Sequence, residues 1–516
     1  MDPDVLRKAA EMRDRWLLRG VVCLLVVALL VSAAGATLAY DPPEIEPGTV
    51  EEPANGSTIV SVQGFHYQGE EWQKKPARVA QFNETARLDW LYNGSGRLSN
   101  WFYDADPLPN GNVLVVNTYR TPDNEPRTAV YELDPDTGRQ VWRRDLPLED
   151  THDVDLINGN QLLVGNMRAG KNDRAFIYDL GNDTTNWDED RGVVWNWFFA
   201  NHYSPSTDGG ISSDWTHLND VDKIGDGKYM MSPRNFDQVI VVDRESKNIT
   251  LRLGEDVLPS EDASDSTLHE QHNPTYLETE DGKPVILVAD SEHDRVVEYT
   301  CFNRSGATCD WELTWKIGVG GNLNWPRDAD RLPNGNTLIT DSLNHRVIEV
   351  TPEGQVVWEA YVSWGTYDAE RVAIGEEPGG PTIRQQGASG AYEVNGSAQL
   401  TAGASDRPTF ADVLSDTFAG TPISAEVDWF ATRWSHIIPW IRPVWMSPWA
   451  FVSAATAVLV LLGWGGAELV VRRRRIADRA RSLHPRLRRN LRSNGAGGSV
   501  ESADATASDA DGADED

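Results

Sequence analysis

A pattern of Asn-Gly and Asp-Gly turns between short apolar runs repeats along the middle of the chain and constrains its fold more than any other feature. The clearest copies begin at Tyr103, His152, His217, His272 and Asp328. Turns of this type join adjacent antiparallel strands, so each copy predicts a small sheet of about three or four strands. Because such a sheet cannot bury both faces alone, the copies are expected to pack radially, as blades of a β-propeller.

Two earlier apolar runs indicate a sixth, degenerate copy before Tyr103: STIVSVQG and RLDWLYNG. No pattern of helical period competes with the strands in this part of the chain. We therefore predict an all-β fold, a six-bladed β-propeller over residues 58–362 that is closed by an N-terminal strand and flanked by two single transmembrane helices.

The two transmembrane helices are predicted from apolar runs of membrane-spanning length. Gly20–Tyr40 carries no charge and follows several Arg and Lys residues, which is typical of a signal peptide or a signal anchor, and its length favours an uncleaved anchor. Trp449–Val471 carries only Glu468 and is followed by a run of arginines, which argues against a buried core helix. By the positive-inside rule both termini are cytoplasmic, and the propeller lies on the extracellular side of the cell membrane.

These features divide the chain into consecutive segments. They are a cytoplasmic N-terminus (1–19), a transmembrane helix or signal anchor (20–40), a linker (41–57), the six-bladed β-propeller (58–362), a linker and juxtamembrane segment (363–446), a second transmembrane helix (447–471) and a cytoplasmic tail that is Arg-rich and then acidic and disordered (472–516). Cys301 and Cys309 flank a hairpin-like loop and are placed to close a small disulfide.

The charge balance limits the partners of such a protein. Lys and Arg number 47 against 79 Asp and Glu, a formal net charge of −32, which excludes nucleic acid as the main partner because phosphate binding needs a basic surface. An acidic surface with only nine Lys predicts a halophile, although an anionic protein from another source would have the same composition. Seven Asn-x-Ser/Thr sites between the two apolar runs indicate a glycoprotein with N-glycans.

Three histidines and one arginine occupy the leading part of successive copies. His217 and His272 each lie nine residues before the Asp of an Asp-Gly turn, and His152 lies six residues before an Asn-Gly turn. Arg234 follows the second strand of the copy that starts at His217. Leading segments of blades converge on the propeller axis, so we expect these four side chains to line one pocket. A guanidinium binds oxyanions, and a neutral imidazole acts as nucleophile, acid or base, which suits chemistry on an anionic group.

Two other interpretations fit the same residues. In one, each histidine only bonds backbone carbonyls of its own blade. In the other, a metal ion is held by ligands from two copies: His152, Asp153, Asp155, His217 and Asp220. The repeated pairs Asp104/Asp106 and Asp328/Asp330 are interpreted as caps of turns between blades. The preferred prediction includes neither a cofactor nor a metal.

The chain resembles the arylsulfate sulfotransferases over roughly residues 58–360, in the segments DWTHLNDVDKIGDGKYMMSPRNFDQVIVVD, LHEQHNPTYL and THDVDLINGN. The resemblance implies a six-bladed propeller that moves a sulfuryl group from an aryl sulfate to a phenol through a sulfated histidine, without a nucleotide donor. It implies His272 as the nucleophile, and His217 and Arg234 as the residues that hold the sulfuryl group and assist the leaving phenolate. His152 would be a further residue of the pocket. The chain departs from the soluble bacterial members in its two anchors, and in the segment ADSEHDR.

The alternative is a non-catalytic cell-surface propeller that binds a glycan, a peptide or an envelope partner. It predicts folding and binding without turnover of aryl sulfates. A third hypothesis, signal transfer through the second span, ranks last because the sequence contains no recognisable cytoplasmic output domain.

Overall fold

The computed structural model describes residues 3–41, 45–64, 75–94, 99–181, 192–254, 267–319, 322–376, 378–397 and 409–493. The chain divides into two compact units. One comprises Ala36–Trp449, and the other combines Met1–Gly35 with Ala450–Asp516. The glycosylation site predicted at Asn182 and the acidic part of the predicted tail, from residue 494, lie outside the described residues.

The first unit consists mainly of β-strands. In chain order they are β1 (Glu46–Val50), β2 (Thr58–Val62), β3 (Arg78–Phe82), β4 (Leu88–Tyr92), β5 (Ser99–Pro107), β6 (Val113–Arg120), β7 (Pro126–Asp134), β8 (Arg139–Leu146), β9 (Val154–Ile157), β10 (Gln161–Asn166), β11 (Arg174–Asp179), β12 (Val193–Phe198), β13 (Leu218–Gly225), β14 (Lys228–Pro233), β15 (Val239–Asp243), β16 (Ile249–Leu253), β17 (His272–Glu278), β18 (Pro284–Asp290), β19 (Arg295–Ser305), β20 (Thr308–Ile317), β21 (Pro326–Arg331), β22 (Thr337–Asp341), β23 (Arg346–Val350), β24 (Val356–Tyr361), β25 (Thr366–Arg371) and β26 (Gly390–Tyr392).

The strands form six sheets, which confirms the six-bladed propeller. Blade 1 has the strand order β25-β2-β3-β4, and blades 2, 3 and 4 are β5–β8, β9–β12 and β13–β16. Blade 5 is β17–β20 with β26 added at its edge, and blade 6 is β21–β24 with β1 added at its edge. The first strand of every blade contributes residues to, or next to, one central cavity, so β25, β5, β9, β13, β17 and β21 surround the axis.

Strands from both the N-terminal and the C-terminal side of the repeated region close the ring of blades. The axial strand of blade 1 is the C-terminal β25, which pairs with β2 through Val60↔Ala369, while the N-terminal strands form the rest of that blade. At the neighbouring blade 6 the N-terminal β1 pairs with β24 through Pro47↔Ala360. Three strands therefore lie beyond the predicted bounds 58–362, in segments that the sequence analysis treats as linkers. No Asp-Gly or Asn-Gly turn follows β25, the axial strand of blade 1.

Tryptophans on the outer strands of blades 3 and 5 form hydrogen bonds to the next blade. Trp197 on β12 donates its indole N–H to the carbonyl of Lys247 in blade 4, at 2.9 Å. Trp315 on β20 donates in the same way to Pro352 in blade 6, at 2.8 Å. These rings and that of Trp358 are almost fully buried, so each one adds apolar area between blades while its polar atom is satisfied. The aromatics that end the outer strands of blades 3 and 5 are thus interblade contacts.

The second unit consists of helices, and two further helices lie in the C-terminal part of the first unit. Helix α1 spans Pro3–Leu38, α2 Phe410–Phe418, α3 Ser424–Ile441 and α4 Pro448–Ser493. Arg15–Leu38 and Pro448–Arg473 are long and apolar enough to span a membrane, with mean hydropathies of 2.7 and 1.8. Within the second unit Arg19 on α1 forms an ion pair of 2.7 Å with Glu468 on α4, which gives the charge of the second apolar run a partner.

The predicted disulfide is also confirmed. Cys301 on β19 and Cys309 on β20 are bonded across the turn that joins these two strands, at a sequence separation of 8. Cys23 is a free and exposed cysteine of α1.

Candidate functional site

The leading ends of the axial strands bring six polar or aromatic side chains into one pocket. These are Tyr103, His152, His217, His272, Arg327 and Tyr367. The rings of His152 and His217 are 5.1 Å apart between centroids, and Tyr367 lies 5.3 Å from His152 and 5.9 Å from His272. The three histidines that the repeat positions single out therefore meet around Tyr367.

Irregular backbone aligns the three histidines despite their unequal spacing in the sequence. The register of β13 shifts between Leu218 and Val221, and that of β17 between His272 and Thr275, whereas β9 pairs regularly with β10. Extra residues in β13 and β17 explain why His217 and His272 lie farther from their turns than His152 does. His217 also has a φ of 44°, an unfavourable conformation for a non-glycine residue that the surrounding structure must hold in place.

The hydrogen bonds of His272 fix its tautomer. Its Nδ1 lies 2.8 Å from the hydroxyl oxygen of Ser291, and that hydroxyl donates its own proton to the carbonyl of Pro326 at 2.6 Å. The hydroxyl oxygen can then only accept from the ring, so Nδ1 carries the proton and Nε2 keeps its lone pair. Burial, followed by the nearby Arg327 and Arg234, holds the pKa of His272 well below its usual range. His272 is consequently a neutral imidazole with an unprotonated Nε2.

His217 is oriented by a carboxylate. Its Nδ1 lies 3.0 Å from both side-chain oxygens of Asp214, so Nδ1–H donates to the carboxylate and Nε2 is again the unprotonated atom. Burial and Arg234 lower the pKa of His217, although Asp214 opposes them. Burial would raise the pKa of Asp214, but the hydrogen bond from His217 lowers it to about 2. Asp214 therefore stays ionised and can stabilise an imidazolium that forms on His217.

His152 is held between two tyrosines. Its Nδ1 lies 2.7 Å from the hydroxyl of Tyr367, and its ring centroid is 4.0 Å from that of Tyr103. The hydroxyl of Tyr103 donates to Asp150 at 2.6 Å. Burial, together with the neighbouring His217, places the pKa of His152 well below its usual range. His152 is therefore a neutral residue that packs the side of the pocket.

Two arginines supply positive charge at the pocket. Arg234 begins a short 3₁₀ turn after β14, and its Nη2 lies 3.0 Å from the side-chain oxygen of Asn235 and 3.5 Å from Glu270. Arg327 on β21 is more deeply buried; it lies over the rings of Trp325 and Tyr367 and donates to Gln63.

The sequence analysis missed Arg327 and Tyr367, although a signal for both exists. Four pocket residues directly precede a pair of acidic residues spaced by one: Tyr103, His152, Arg327 and Tyr367. The Asp-x-Asp pairs thus mark the axial strands. Their interpretation as caps of turns between blades is wrong, because Asp104/Asp106 lie on β5 and Asp328/Asp330 on β21, at the central cavity.

The metal ligand set considered from the sequence mixes histidines and carboxylates. Among the described residues, the groups whose ligand atoms lie close enough together to share an ion contain carboxylates alone. One of these groups consists of Asp153, Asp220 and Asp222, so it shares two carboxylates with the ligands considered from the sequence but contains no histidine. His152 lines the central cavity as well, but among the described residues no such group includes the imidazole of His152 or His217.

The axis of this six-bladed propeller therefore presents three neutral imidazoles beside two guanidinium groups, a donor set whose charge suits an oxyanion. Residues 57–304, just under half of the chain, match the family described as arylsulfotransferase (ASST). The matched segment contains His152, His217, Arg234 and His272 and ends before Arg327.

Solved structures of low sequence identity also align with the chain. A protein of unknown function from Bacteroides caccae is 13% identical, with 61% of this chain and 98% of that one covered and a TM-score of 0.37. A streptogramin B lyase is 10% identical, with coverages of 62% and 87% and a TM-score of 0.34. A putative 6-phosphogluconolactonase from Bacteroides fragilis is 12% identical, with coverages of 62% and 99% and a TM-score of 0.37. No match was found among curated proteins.

Proposed function

We propose that this protein transfers a sulfuryl group from an aryl sulfate to a phenol through a sulfohistidine at His272. The observation that carries the proposal is the bond from His272 Nδ1 to Ser291, which leaves the Nε2 lone pair for attack. A neutral, buried imidazole is the form in which histidine acts as a nucleophile. The two arginines beside it suit a substrate whose charge resides on sulfate oxygens.

The first half-reaction forms an N–S bond and breaks an S–O bond. Nε2 of His272 attacks the sulfur atom, and the electron pair of the S–O bond leaves with the aryl oxygen as a phenolate. Arg234 and Arg327 stabilise the negative charge on the sulfuryl oxygens and on the departing phenolate, in a pocket where buried dipoles and charges act more strongly than in water. The sulfuryl group then resides on a histidine whose Nδ1–H remains bonded to Ser291.

The second half-reaction returns the enzyme to its starting state. Nε2 of His217 accepts the proton of an acceptor phenol, and ionised Asp214 stabilises the imidazolium that results. The acceptor oxygen attacks sulfur, the N–S bond breaks, and its electron pair returns to Nε2 of His272. The proton on His217 passes to solvent and balances the proton that the first phenolate takes up. His152 shapes the pocket and exchanges no proton in this scheme.

The proposal is tested by replacing His272 with Asn in the full chain and following phenol release from a chromogenic aryl sulfate. We expect wild type to gain one sulfuryl group in intact-protein mass spectrometry after mixing with donor, and H272N to gain none and to lose turnover. Arg234→Lys should retain more activity than Arg234→Ala, because lysine keeps the positive charge. It should still be less active than wild type, because an ammonium group cannot bind two oxygens as the guanidinium fork does. The control is His202→Asn, at an exposed ring that stacks on Trp197.

Equal turnover by H272N and wild type would refute the nucleophile assignment. Absence of turnover in wild type, with every aryl sulfate tried, would favour the non-catalytic binding propeller instead. Assays in molar salt are appropriate, because a formal charge of −32 supports our proposal of a halophilic protein.

We further propose that the propeller is extracytoplasmic and is anchored in the cell membrane by the apolar helix that precedes it and the one that follows it in the sequence. Arg-rich residues before the first apolar helix and after the second support cytoplasmic termini under the positive-inside rule. An exterior location would also accommodate the Cys301–Cys309 disulfide and N-glycans at the Asn-x-Ser/Thr sites.

A further inference from the structure

The polar region on the propeller axis extends from the histidine pocket into what we call the acidic cavity, and Tyr103, His152 and Tyr367 line both. The acidic cavity has a volume of about 50 Å³, and Asp104, Asp106, Asp368 and Glu370 are among its lining residues. No Lys or Arg side chain belongs to this lining in the described part of the chain. Several buried carboxylates elsewhere in the propeller are paired with an arginine, for example Asp341 with Arg346 at 2.7 Å. The lining of the acidic cavity contains no such arginine among the described residues.

The carboxylates of this cavity are close enough to share an ion. Ligand oxygens of Asp104, Asp106 and Asp368 all lie within 4.8 Å of one another, and so do those of Asp106, Asp155 and Glu376. Calcium binds oxygen at about 2.3–2.6 Å, so oxygens at such separations can all contact one Ca²⁺. Asp106 belongs to both groups, which places them side by side.

Unsatisfied oxygens give a second indication of a missing positive charge. One side-chain oxygen of each of Asp104, Asp106, Asp155, Asp368 and Glu370 is buried without a hydrogen-bond partner among the described residues. The five side chains are between 4% and 7% exposed. Glu370 is independent of both groups and lines the same cavity. Buried carboxylates without partners cost several kcal/mol each, and a bound cation removes this cost.

We propose that Asp104, Asp106 and Asp368 bind a divalent cation, Ca²⁺ by the chemistry of the donors, that fastens the last axial strand, β25, to the neighbouring axial strand β5. Asp368 lies on the C-terminal strand β25, whereas Asp104 and Asp106 lie on β5 of blade 2. Three carboxylates without imidazole or thiolate ligands favour a hard cation over zinc. A shared ion would join the strand that completes blade 1 to the axial strand of blade 2.

The test uses the full chain, stripped of metal with a chelator and returned to buffered salt. We expect elemental analysis to find one bound Ca²⁺ per chain after equilibration with CaCl₂ and desalting. We expect Ca²⁺ to raise the melting temperature saturably, by a few degrees, because a ligand that binds only the folded state stabilises it. NaCl at equal ionic strength is the control for screening. The readout requires no sulfuryl transfer, so it stands apart from the proposed reaction.

Asp368→Asn should abolish both the bound Ca²⁺ and the melting shift, and Asp136→Asn, at an exposed turn, should retain both. If Asp368→Asn fails to fold, Asp104→Asn serves in its place. Absence of bound Ca²⁺, an equal shift with NaCl, or an undiminished response in the cavity variants would each overturn the proposal.

Discussion

Helix α3 is fastened to the propeller by a histidine that should make its attachment depend on pH. His436 donates from Nε2 to Asp294 at 2.9 Å, and its Nδ1 lies 3.6 Å from Glu292. Its ring stacks against Trp325, which also contacts His272. Burial would lower the pKa of His436, but the two carboxylates outweigh it and raise the pKa to about 9. The attachment therefore relies on a protonated imidazole next to the pocket.

The magnitude follows from the shift of this pKa. Relative to an unfolded value of 6.5, a pKa of about 9 corresponds to about 3 kcal/mol of stability from protonated His436. Because the folded pKa is the higher one, this stability is complete below pH 6.5 and is lost as the pH rises through about 9. Lys75 has the opposite effect, since burial, and then Arg442, lowers its pKa to about 7. Stability from Lys75 rises with pH above 7 and partly masks the loss.

The measurement is therefore a difference between variants. Thermal or denaturant unfolding of full-length wild type and His436→Gln is followed by tryptophan fluorescence from pH 6 to pH 10, with His202→Gln as the exposed control. We expect His436→Gln to destabilise the protein by about 3 kcal/mol at pH 6 and by much less at pH 10. A destabilisation that is constant over this range would refute the assignment of a protonated His436.

Three further predictions address the nucleophile, the topology and the response to salt. Ser291→Ala should lower kcat about tenfold, because the loss of one hydrogen bond frees His272 to change tautomer; an unchanged kcat at saturating donor would contradict this role. Protease added to intact cells should cut between the two apolar helices and spare the Arg-rich segment after residue 471, and the reverse pattern would contradict the proposed orientation. Dilution into low salt should reduce the melting temperature, because repulsion among the excess acidic groups is then unscreened; equal melting temperatures in low and molar salt would contradict the halophile prediction.

The sequence was sufficient to predict the blades because their turns are local. Asn-Gly and Asp-Gly specify hairpins whatever their surroundings, so the number of blades could be counted before the structure. Closure depends on a distant pairing instead. Strand β25 carries the same leading pattern as β5, Tyr-Asp-Ala followed by an acidic residue, but no turn of the repeat follows it. The prediction therefore ended the propeller at residue 362, before its last axial strand.

The position of a histidine within its copy of the repeat predicts correctly that it lines the pocket. His152, His217 and His272 were selected as histidines on leading segments, and the structure brings them together. Arg327 occupies the position of His152 in another blade, since each directly precedes an Asp-x-Asp pair, but the spacing between a histidine and its turn does not point to an arginine there. The partners that set the tautomers, Asp214 and Ser291, come from loops whose approach no spacing in the sequence could reveal.

The hydrogen bond between His152 and Tyr367 joins residues that are 215 positions apart, and the second of them lies on the strand that closes the ring. A nascent chain that has been synthesised only as far as residue 365 holds every histidine of the pocket but lacks the hydroxyl around which they meet. The axial wall of blade 1 is missing from it as well. The site that we propose for the sulfuryl group would therefore be completed only when β25 has been synthesised, and a fragment released earlier from the ribosome would carry the proposed nucleophile, His272, without a complete site.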